Sequence, residues 1–542
     1  MTADLELPVA LGLDFGTESV RALLIDSQGR ELGCVSRNYE HGQITQTLPG
    51  TGLTIPPDHA FQSPSDWLDG AAEATRQAIA DAGIDPRRIV GIGVDFTSCT
   101  MLPTKRDGTP LCQLDAFTDV MMAWPKLWKH HGAIEQTQRM NAIAEERGEA
   151  FMDRYGGTIG LEWFFPKLLE TIDKSPEVYD AAEVWLEAGD WFVWQLVGGE
   201  AERLPRSTCQ AGYKALWSAE EGYANDAYLS AVEPRLAEAV RRKMPGRMLS
   251  PGEKAGELTE KMAERFGLPA GIAVSAATID AHSAVPGVGA AEPGTLVMVM
   301  GTSSCHMLNA TIGKPVNGVA GIVDGGILPG MFGYETGQAA VGDAFAWLLK
   351  LLNLQSFDEL GRAAIALPPG SEGVVCLDWM NGCRTPLMDG SLKGVFAGLT
   401  LATTPAHLYR ALLEASAMGV RWIVDLLTEG GVPVERFIAT GGLPHHNPAV
   451  TQIYADVLGC EIEVHPSEQG PAVGAAVLGM LAAGSEKSGF ENVVDAASAM
   501  AAVPVEKKKI VKPQQDHRAA YDVLYARYGR LAVTFSTPDL LN

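Results

Sequence analysis

Residues 13–19 read Leu13-Asp14-Phe15-Gly16-Thr17-Glu18-Ser19, and a near-copy returns as Val299-Met300-Gly301-Thr302-Ser303-Ser304. Each copy follows an apolar run of strand character, Val9 to Leu13 and Thr295 to Met300. A strand, a Gly-Thr turn and a second strand together present backbone N–H groups and a hydroxyl to a phosphate. Gly16 and Gly301 allow close backbone approach, and Thr17 and Thr302 add hydroxyl donors. Asp14, where a strand enters its turn, is suited to holding Mg²⁺ through water. A single D-x-G-T is equally a strand-ending turn with an Asx bond; its recurrence argues for two like domains facing one nucleotide. The chain has no G-x-x-x-x-G-K-[ST] phosphate loop and no H-R-D and D-F-G set. ATP would therefore be held by the two-hairpin route.

Phosphoryl transfer also needs a base for the incoming hydroxyl and exclusion of water. Asp280 is the candidate base. It ends the mostly apolar run Ala273 to Ile279 and precedes the small-residue run Ala284 to Ala291, where the two halves of the chain join. A carboxylate there can accept a hydroxyl proton as the bond to phosphorus forms. The alternative is a helix N-cap. Ala439-Thr440-Gly441-Gly442 leads through Leu443-Pro444-His445-His446 to Asn447. This reads as a strand, a Gly-Gly turn and a helix, suited to a purine or ribose lying over Gly442 with Asn447 hydrogen-bonding nearby, though such turns are common in α/β proteins. Adjacent histidines on a turn are ordinarily solvated, and no metal is assigned to His445 and His446.

The elements that must position these residues are legible in part. A strand, a turn, a second strand from Val20 to Asp26, the turn Ser27-Gln28-Gly29-Arg30 and a third strand from Glu31 make a β-meander. Trp67 to Ala82 has helical spacing, with Leu68, Ala71, Ala72, Thr75 and Ile79 on one face. Ile89 to Val94 is a buried parallel strand ending in Asp95. Residues 105–250, rich in Trp and charge, read as inserted helices forming much of the substrate side. The second half places strands at 296–300 and 437–440, and helices at 343–353, 405–429, 448–458, 471–483 and 515–531. No flexible linker separates the halves.

At 542 residues the chain has room for two or three domains. Its 42 Lys plus Arg against 66 Asp plus Glu give a formal charge of −24, which repels phosphodiester backbones and anionic lipid. Eight scattered cysteines without a C-x-x-C pair read as reduced thiols in a cytosol. The acidic start Met1-Thr2-Ala3-Asp4-Leu5-Glu6 is not a signal peptide. No apolar run approaches the roughly 20 residues of a membrane span. A soluble cytoplasmic protein is expected.

Taken in order, Asp14-Phe15-Gly16-Thr17, Asp280, Gly301-Thr302 and Gly441-Gly442 resemble the actin/sugar-kinase/chaperone ATPase superfamily. Within it the chain is similar to the FGGY carbohydrate kinases. Gly394-Val395-Phe396-Ala397-Gly398-Leu399, His407-Leu408 and Ala411-Leu412-Leu413-Glu414 follow that family's C-terminal signature, with Leu412 a small departure. The N-terminal signature, around Lys167, is partly present. Five phrases resemble the family's ketopentose-phosphorylating members, and the likeness runs over almost the whole chain. They are Val94-Asp95-Phe96-Thr97-Ser98-Cys99-Thr100, Cys209-Gln210-Ala211-Gly212-Tyr213-Lys214, Gly301-Thr302-Ser303-Ser304-Cys305, Glu335-Thr336-Gly337-Gln338 and Leu377-Asp378-Trp379-Met380-Asn381-Gly382-Cys383-Arg384-Thr385-Pro386.

The resemblance implies an α/β fold of two ribonuclease H-like (actin-like ATPase) domains flanking a deep cleft. Residues 1–289 would form the N-terminal domain, with sugar-binding insertions and the base, and 290–542 the ATP-binding C-terminal domain. It implies Asp280 as catalytic base, a ketopentose pocket lined by Phe96, Thr97, Ser98, Lys214 and Glu335, and ATP contacts at Thr17, Arg21, Thr302, Gly442 and Asn447. A Lys and a Glu can hydrogen-bond adjacent hydroxyls and a carbonyl; the alternative is that both are surface charges. Asp190 matches a phrase of the family and is read as structural. The expected reaction is Mg²⁺-dependent phosphorylation by ATP of the terminal hydroxyl of ribulose, L-ribulose first, to ribulose 5-phosphate. The alternatives are another pentulose or polyol (D-ribulose, xylulose, ribitol, erythritol), or a non-catalytic sugar-sensing or chaperone-like ATPase. The expected partner is a small sugar, with no nucleic acid or membrane; a homodimer is allowed.

Overall fold

Every residue of the strand Val9–Phe15 (β1) is buried, as a continuous apolar run in the middle of a sheet must be. In the computed structural model, which describes residues 7–354, 356–504 and 507–537, β1 pairs antiparallel with Ser19–Asp26 (β2), and β2 with Glu31–Asn38 (β3). β3 alternates between exposed and half-buried residues, the pattern of an edge strand. The meander is present as expected; residues 1–6, the acidic start, lie outside the described residues. Ile89–Phe96 (β4) runs parallel to β1 with Phe15 opposite Phe96, and Ala273–Ser275 and Thr278–Ile279 run parallel to β4.

The helix Pro64–Ala82 (α1) starts with Pro at its first turn and stops at Gly83 in the left-handed conformation (φ 62°). It buries Trp67, Leu68, Ala71, Ala72 and Thr75 against β2 and β3. The opposite face of the sheet carries the helix Gly470–Ala482, which packs on β1 and β4. Glycines make that approach possible. A Cβ at Gly12, Gly91 or Gly93 would lie closer than 3.0 Å to the carbonyl oxygen of Ala472, Gly479 or Ala475 respectively. The same helix meets Asp280–Gly287 through Gly287 and Gly474, so the small-residue run after Asp280 is a helix-packing surface.

Two compact units result. One comprises residues 1–291, 322–333 and 469–502; the other 292–321, 334–468 and 503–542. The division expected at 289/290 leaves residues 322–333 and 469–502 with the second half, whereas they pack with the first unit. For residues 469–502 the reason is the glycine-lined contact just described, which pairs residues too distant in sequence for local patterning to reveal.

The inserted region of the first unit has its own core, built on Met140, Phe151, Tyr155, Trp163, Phe164, Phe165 and Leu168. At its base the fully buried Glu170 lies 2.7 Å from His130 Nε2, 2.9 Å from Lys174 Nζ and 3.7 Å from Lys126 Nζ. These partners outweigh burial and hold its carboxyl far below the usual range. Burial pushes His130 down to about 3, against the pull of Glu170, so the ring is neutral at pH 7. Both shifts are depressions. The stability they carry is present above the unfolded values and is lost as pH falls, for His130 from about pH 6.5 downward. We expect Glu170→Gln to destabilise the protein by about 3–5 kcal/mol, the cost of breaking a buried charge network. Its urea midpoint should also fall less steeply with acid than the wild type's; equal pH slopes would show that the network is not the acid-sensitive element.

The second unit repeats the plan of the first. Thr295–Met300 forms a hairpin with Ser304–Ala310 and runs parallel to Arg436–Thr440, which runs parallel to Ile462–Val464. The helices Gly342–Leu351, Pro405–Glu429, Pro448–Leu458 and Arg518–Phe535 fall where the periodicity places them. All eight cysteines are free thiols, and no helix among the described residues is long and apolar enough to cross a membrane.

Candidate active site

In the first unit, three parallel strand ends bring carboxylates together. Asp14 on β1 is the register partner of Asp95 on β4; Thr278 is also opposite Asp95, and Asp280 follows one residue past Ile279. The carboxyl ends of parallel strands are where open α/β sheets bind ligands. Asp14 Oδ2 accepts from Arg21 Nη1 at 2.8 Å, so one end of the Arg21 guanidinium holds the acid. Asp95 is wholly buried. Burial first, then the charges of Asp14 and Asp280, hold its carboxyl well above the usual carboxylate range. Asp280 opens the helix Asp280–Gly287 and is half-buried; its Oδ1 accepts from the Ala281 N–H at 2.7 Å. The N-cap of this helix is Ile279, so Asp280 is its first residue rather than its cap.

Both Gly-Thr phrases are hairpin turns, closed by Gly16 N–H to Ser19 O and Gly301 N–H to Ser303 O, each 2.9 Å. Neither glycine has a positive φ, and a Cβ would meet nothing nearer than 3.5 Å at Gly16 or 3.9 Å at Gly301. The fold itself does not demand glycine at either place. Thr17 Oγ1 accepts from Trp128 Nε1 at 3.0 Å. In the second unit, Gly301 and Thr302 carbonyls accept from Gly342, Val341 and Asp343 N–H groups, tying that turn to the next helix. Gly441 has a structural reason, with φ 93° and the Met300 carbonyl too close for a Cβ, whereas Gly442 is exposed and open. Asn447 Nδ2 donates to the Tyr409 hydroxyl at 2.8 Å, which leaves its amide oxygen and a second N–H.

The expected sugar residues divide. The Phe96 ring is fully buried, stacked on Phe15 at 4.5 Å and edge-on to Trp67 at 5.2 Å, so it is core and can offer a ligand only its backbone. Thr97 pairs its hydroxyl with Thr100 at 2.8 Å. The turn between them, including Ser98, is pinned by Lys167, whose ammonium donates to the carbonyls of Cys99 and Leu127. Lys214 is buried on the helix Thr208–Lys214, its ammonium 5.7 Å from the centre of the Trp163 ring, and is not a surface charge. Glu335 is buried as well, on a strand of the second unit. Asp95, Glu187 and Gln210 are further buried polar residues of the first unit. Asp95 announces itself as the polar end of an apolar strand; Glu187 and Gln210 carry no signal beyond being polar among residues that fold into a core.

His59, His130 and Glu170 are the one group among the described residues with three ligand-type atoms mutually within 4.8 Å. The ammoniums of Lys126 and Lys174 already neutralise that carboxylate, which argues against a cation there. Asp14, with its oxygen donors on a strand edge beside a Gly-Thr turn, fits a hard divalent ion held through water.

The sequence matches the model of the FGGY family of carbohydrate kinases, N-terminal domain, over residues 9–287, and that of its C-terminal domain over 296–483. It is 43% identical over 533 residues to a ribulokinase of Geobacillus thermodenitrificans, covering 96% of this chain and 93% of that one. It is 44% identical over 534 residues to a ribulokinase of Halalkalibacterium halodurans, covering 96% and 94%. A xylulose kinase from Rhodospirillum rubrum superposes with a TM-score of 0.79 at 23% identity, over 97% and 98% of the two chains. Plasmodium falciparum glycerol kinase with ADP does so with 0.77 at 17% identity, over 98% and 99%. These structural likenesses speak for the fold alone.

Proposed function

The chain belongs to the FGGY family of carbohydrate kinases, phosphotransferases with an alcohol group as acceptor, and from that premise we propose that it phosphorylates L-ribulose at its terminal hydroxyl to give ribulose 5-phosphate. One observation carries the choice of sugar: identity of 42–44% to relatives named ribulokinase, sustained over 96% of the chain. Asp280 takes the proton of the attacking hydroxyl. Lys214 and Glu335 hydrogen-bond the sugar's oxygens and orient it. The turns at Gly16-Thr17 and Gly301-Thr302 receive the phosphates of ATP, their open glycines letting the backbone come close, and Gly442 and the amide oxygen of Asn447 serve the nucleoside. Mg²⁺, held through water by Asp14, would draw charge from the phosphate oxygens. Arg21 fixes the orientation of the Asp14 carboxylate.

ADP release measured with Mg·ATP against L-ribulose, D-ribulose, L- and D-xylulose, ribitol and glycerol tests this. We expect kcat/KM for L-ribulose to exceed that for each of the others. Preference for another pentulose or polyol would keep the kinase and overturn the sugar. ATP turnover indifferent to every sugar would overturn both.

A further inference from the structure

Glu187 closes the strand Val184–Glu187, whose pairing places it opposite Met101, just beyond the Thr97–Thr100 turn. It is 3% exposed, and neither carboxylate oxygen has a hydrogen-bond partner. Gln210 is 1% exposed, and its amide oxygen and nitrogen are likewise unpartnered. The hydroxyl of the fully buried Thr278, two residues before Asp280, completes the set. Native interiors rarely leave such groups unpaired, because each forfeits its hydration without compensation.

These groups converge. Gln210 and Lys214 stand four residues apart on one short helix, hence on one face. A Cβ built on Gly189 would lie 2.7 Å from Gln210 Nε2 and 3.1 Å from the Ala277 methyl carbon, so the amide fits where only glycine leaves room, beside the strand leading to Asp280. Burial pushes the Glu187 carboxyl up to about 8 against the pull of Lys167, with Arg206 and Lys214 also drawing it down; the acid thus stands within the field of the lysine assigned to the sugar.

We propose that Glu187 and Gln210 form a further polyol subsite, hydrogen-bonding ketose hydroxyls other than the one presented to Asp280. The inference rests on the sugar-kinase reading above. The chemistry matches: a buried carboxyl that keeps its proton up to about pH 8 both donates and accepts, as does a carboxamide, and each sugar hydroxyl does both. An apolar ligand would leave the same groups unsatisfied.

The test is steady-state kinetics with L-ribulose and ATP varied separately, on the wild type, Glu187→Gln, Glu187→Leu and Gln210→Leu, with thermal melts of each in the absence of sugar. Removing a buried hydrogen-bonding group from the sugar should raise its KM about 10- to 100-fold in the two leucine variants. The KM for ATP should stay within about twofold, and Glu187→Gln, which can still hydrogen-bond, should fall between wild type and Glu187→Leu. The melts should not fall, since a buried carboxyl without a hydrogen-bond partner does not stabilise the free protein. A wild-type sugar KM in Glu187→Leu, or a parallel rise in both KM values with a lowered melt, would make the residue structural and overturn the subsite alone. A wild type without sugar-dependent turnover would instead overturn the functional reading, and this inference with it.

Discussion

Asp280→Asn should lower kcat by about 10³-fold while leaving the protein folded and able to bind sugar and ATP. The size follows from the range of about 10²- to 10⁴-fold that a positioned general base contributes. The fold should survive, because asparagine has the shape of aspartate and its carbonyl can accept from the Ala281 N–H as Asp280 Oδ1 does. An amide cannot take the proton of the attacking hydroxyl at neutral pH, so the loss should fall on the chemical step. Steady-state ADP release should show kcat and kcat/KM falling together, with binding of L-ribulose by calorimetry within a few-fold of wild type. A variant retaining kcat within about tenfold of wild type would remove Asp280 from the mechanism. The transition state would then have to be served by positioning alone, as the loose character of phosphoryl transfer would permit.

What could be read from the sequence separates along the distance over which residues act. The Gly-Thr hairpins, the meander and α1 are local, so alternation and turn residues reveal them, and β1 to β4 stand where the apolar runs put them. Asp14 and Asp280 were legible because each ends a strand, and strand ends are where carboxylates meet. Three features lay beyond such reading. Phe96 looks like part of a pocket phrase, yet its ring stacks on Phe15, eighty residues earlier in order of number but adjacent in register. Arg21 and Asn447 are each held by a neighbour, Asp14 and the Tyr409 hydroxyl, whose nearness only pairing and packing create. Residues 469–502 continue a second-half pattern in sequence but lie with the first unit. In each case the deciding interaction is a tertiary contact with no trace in local periodicity.

That last contact leads to a large expected effect on both stability and activity. Gly91 and Gly93 stand two apart on β4, hence on one face of the sheet. Neither has a positive φ, so the backbone alone would accept alanine. Judged by conformational entropy, Gly93→Ala should stabilise by about 0.4–1 kcal/mol. The packing argues the reverse. The new methyl would fall on the Ala475 carbonyl of the helix Gly470–Ala482, backbone that no rotamer change can clear. Overpacking a tight core costs about 1–3 kcal/mol and occasionally more, and a rigid helix over two strands belongs at the upper end. We expect a loss of about 3 kcal/mol or more by urea denaturation. Activity should fall too, because the displaced helix rests on β1 and β4, whose ends carry Asp14 and Asp95. Gly361, inside the helix Phe357–Ile365 with nothing within 4 Å of a built Cβ, is the control. Alanine there should stabilise by about 0.5–1 kcal/mol, the ordinary helix-interior gain. Opposite signs at the two sites would show that close approach of helix to sheet, and not backbone freedom, is what requires glycine in β4. Stabilisation at both would mean the helix can lift from the strands without cost, and the unit described here would lose the contact that defines it.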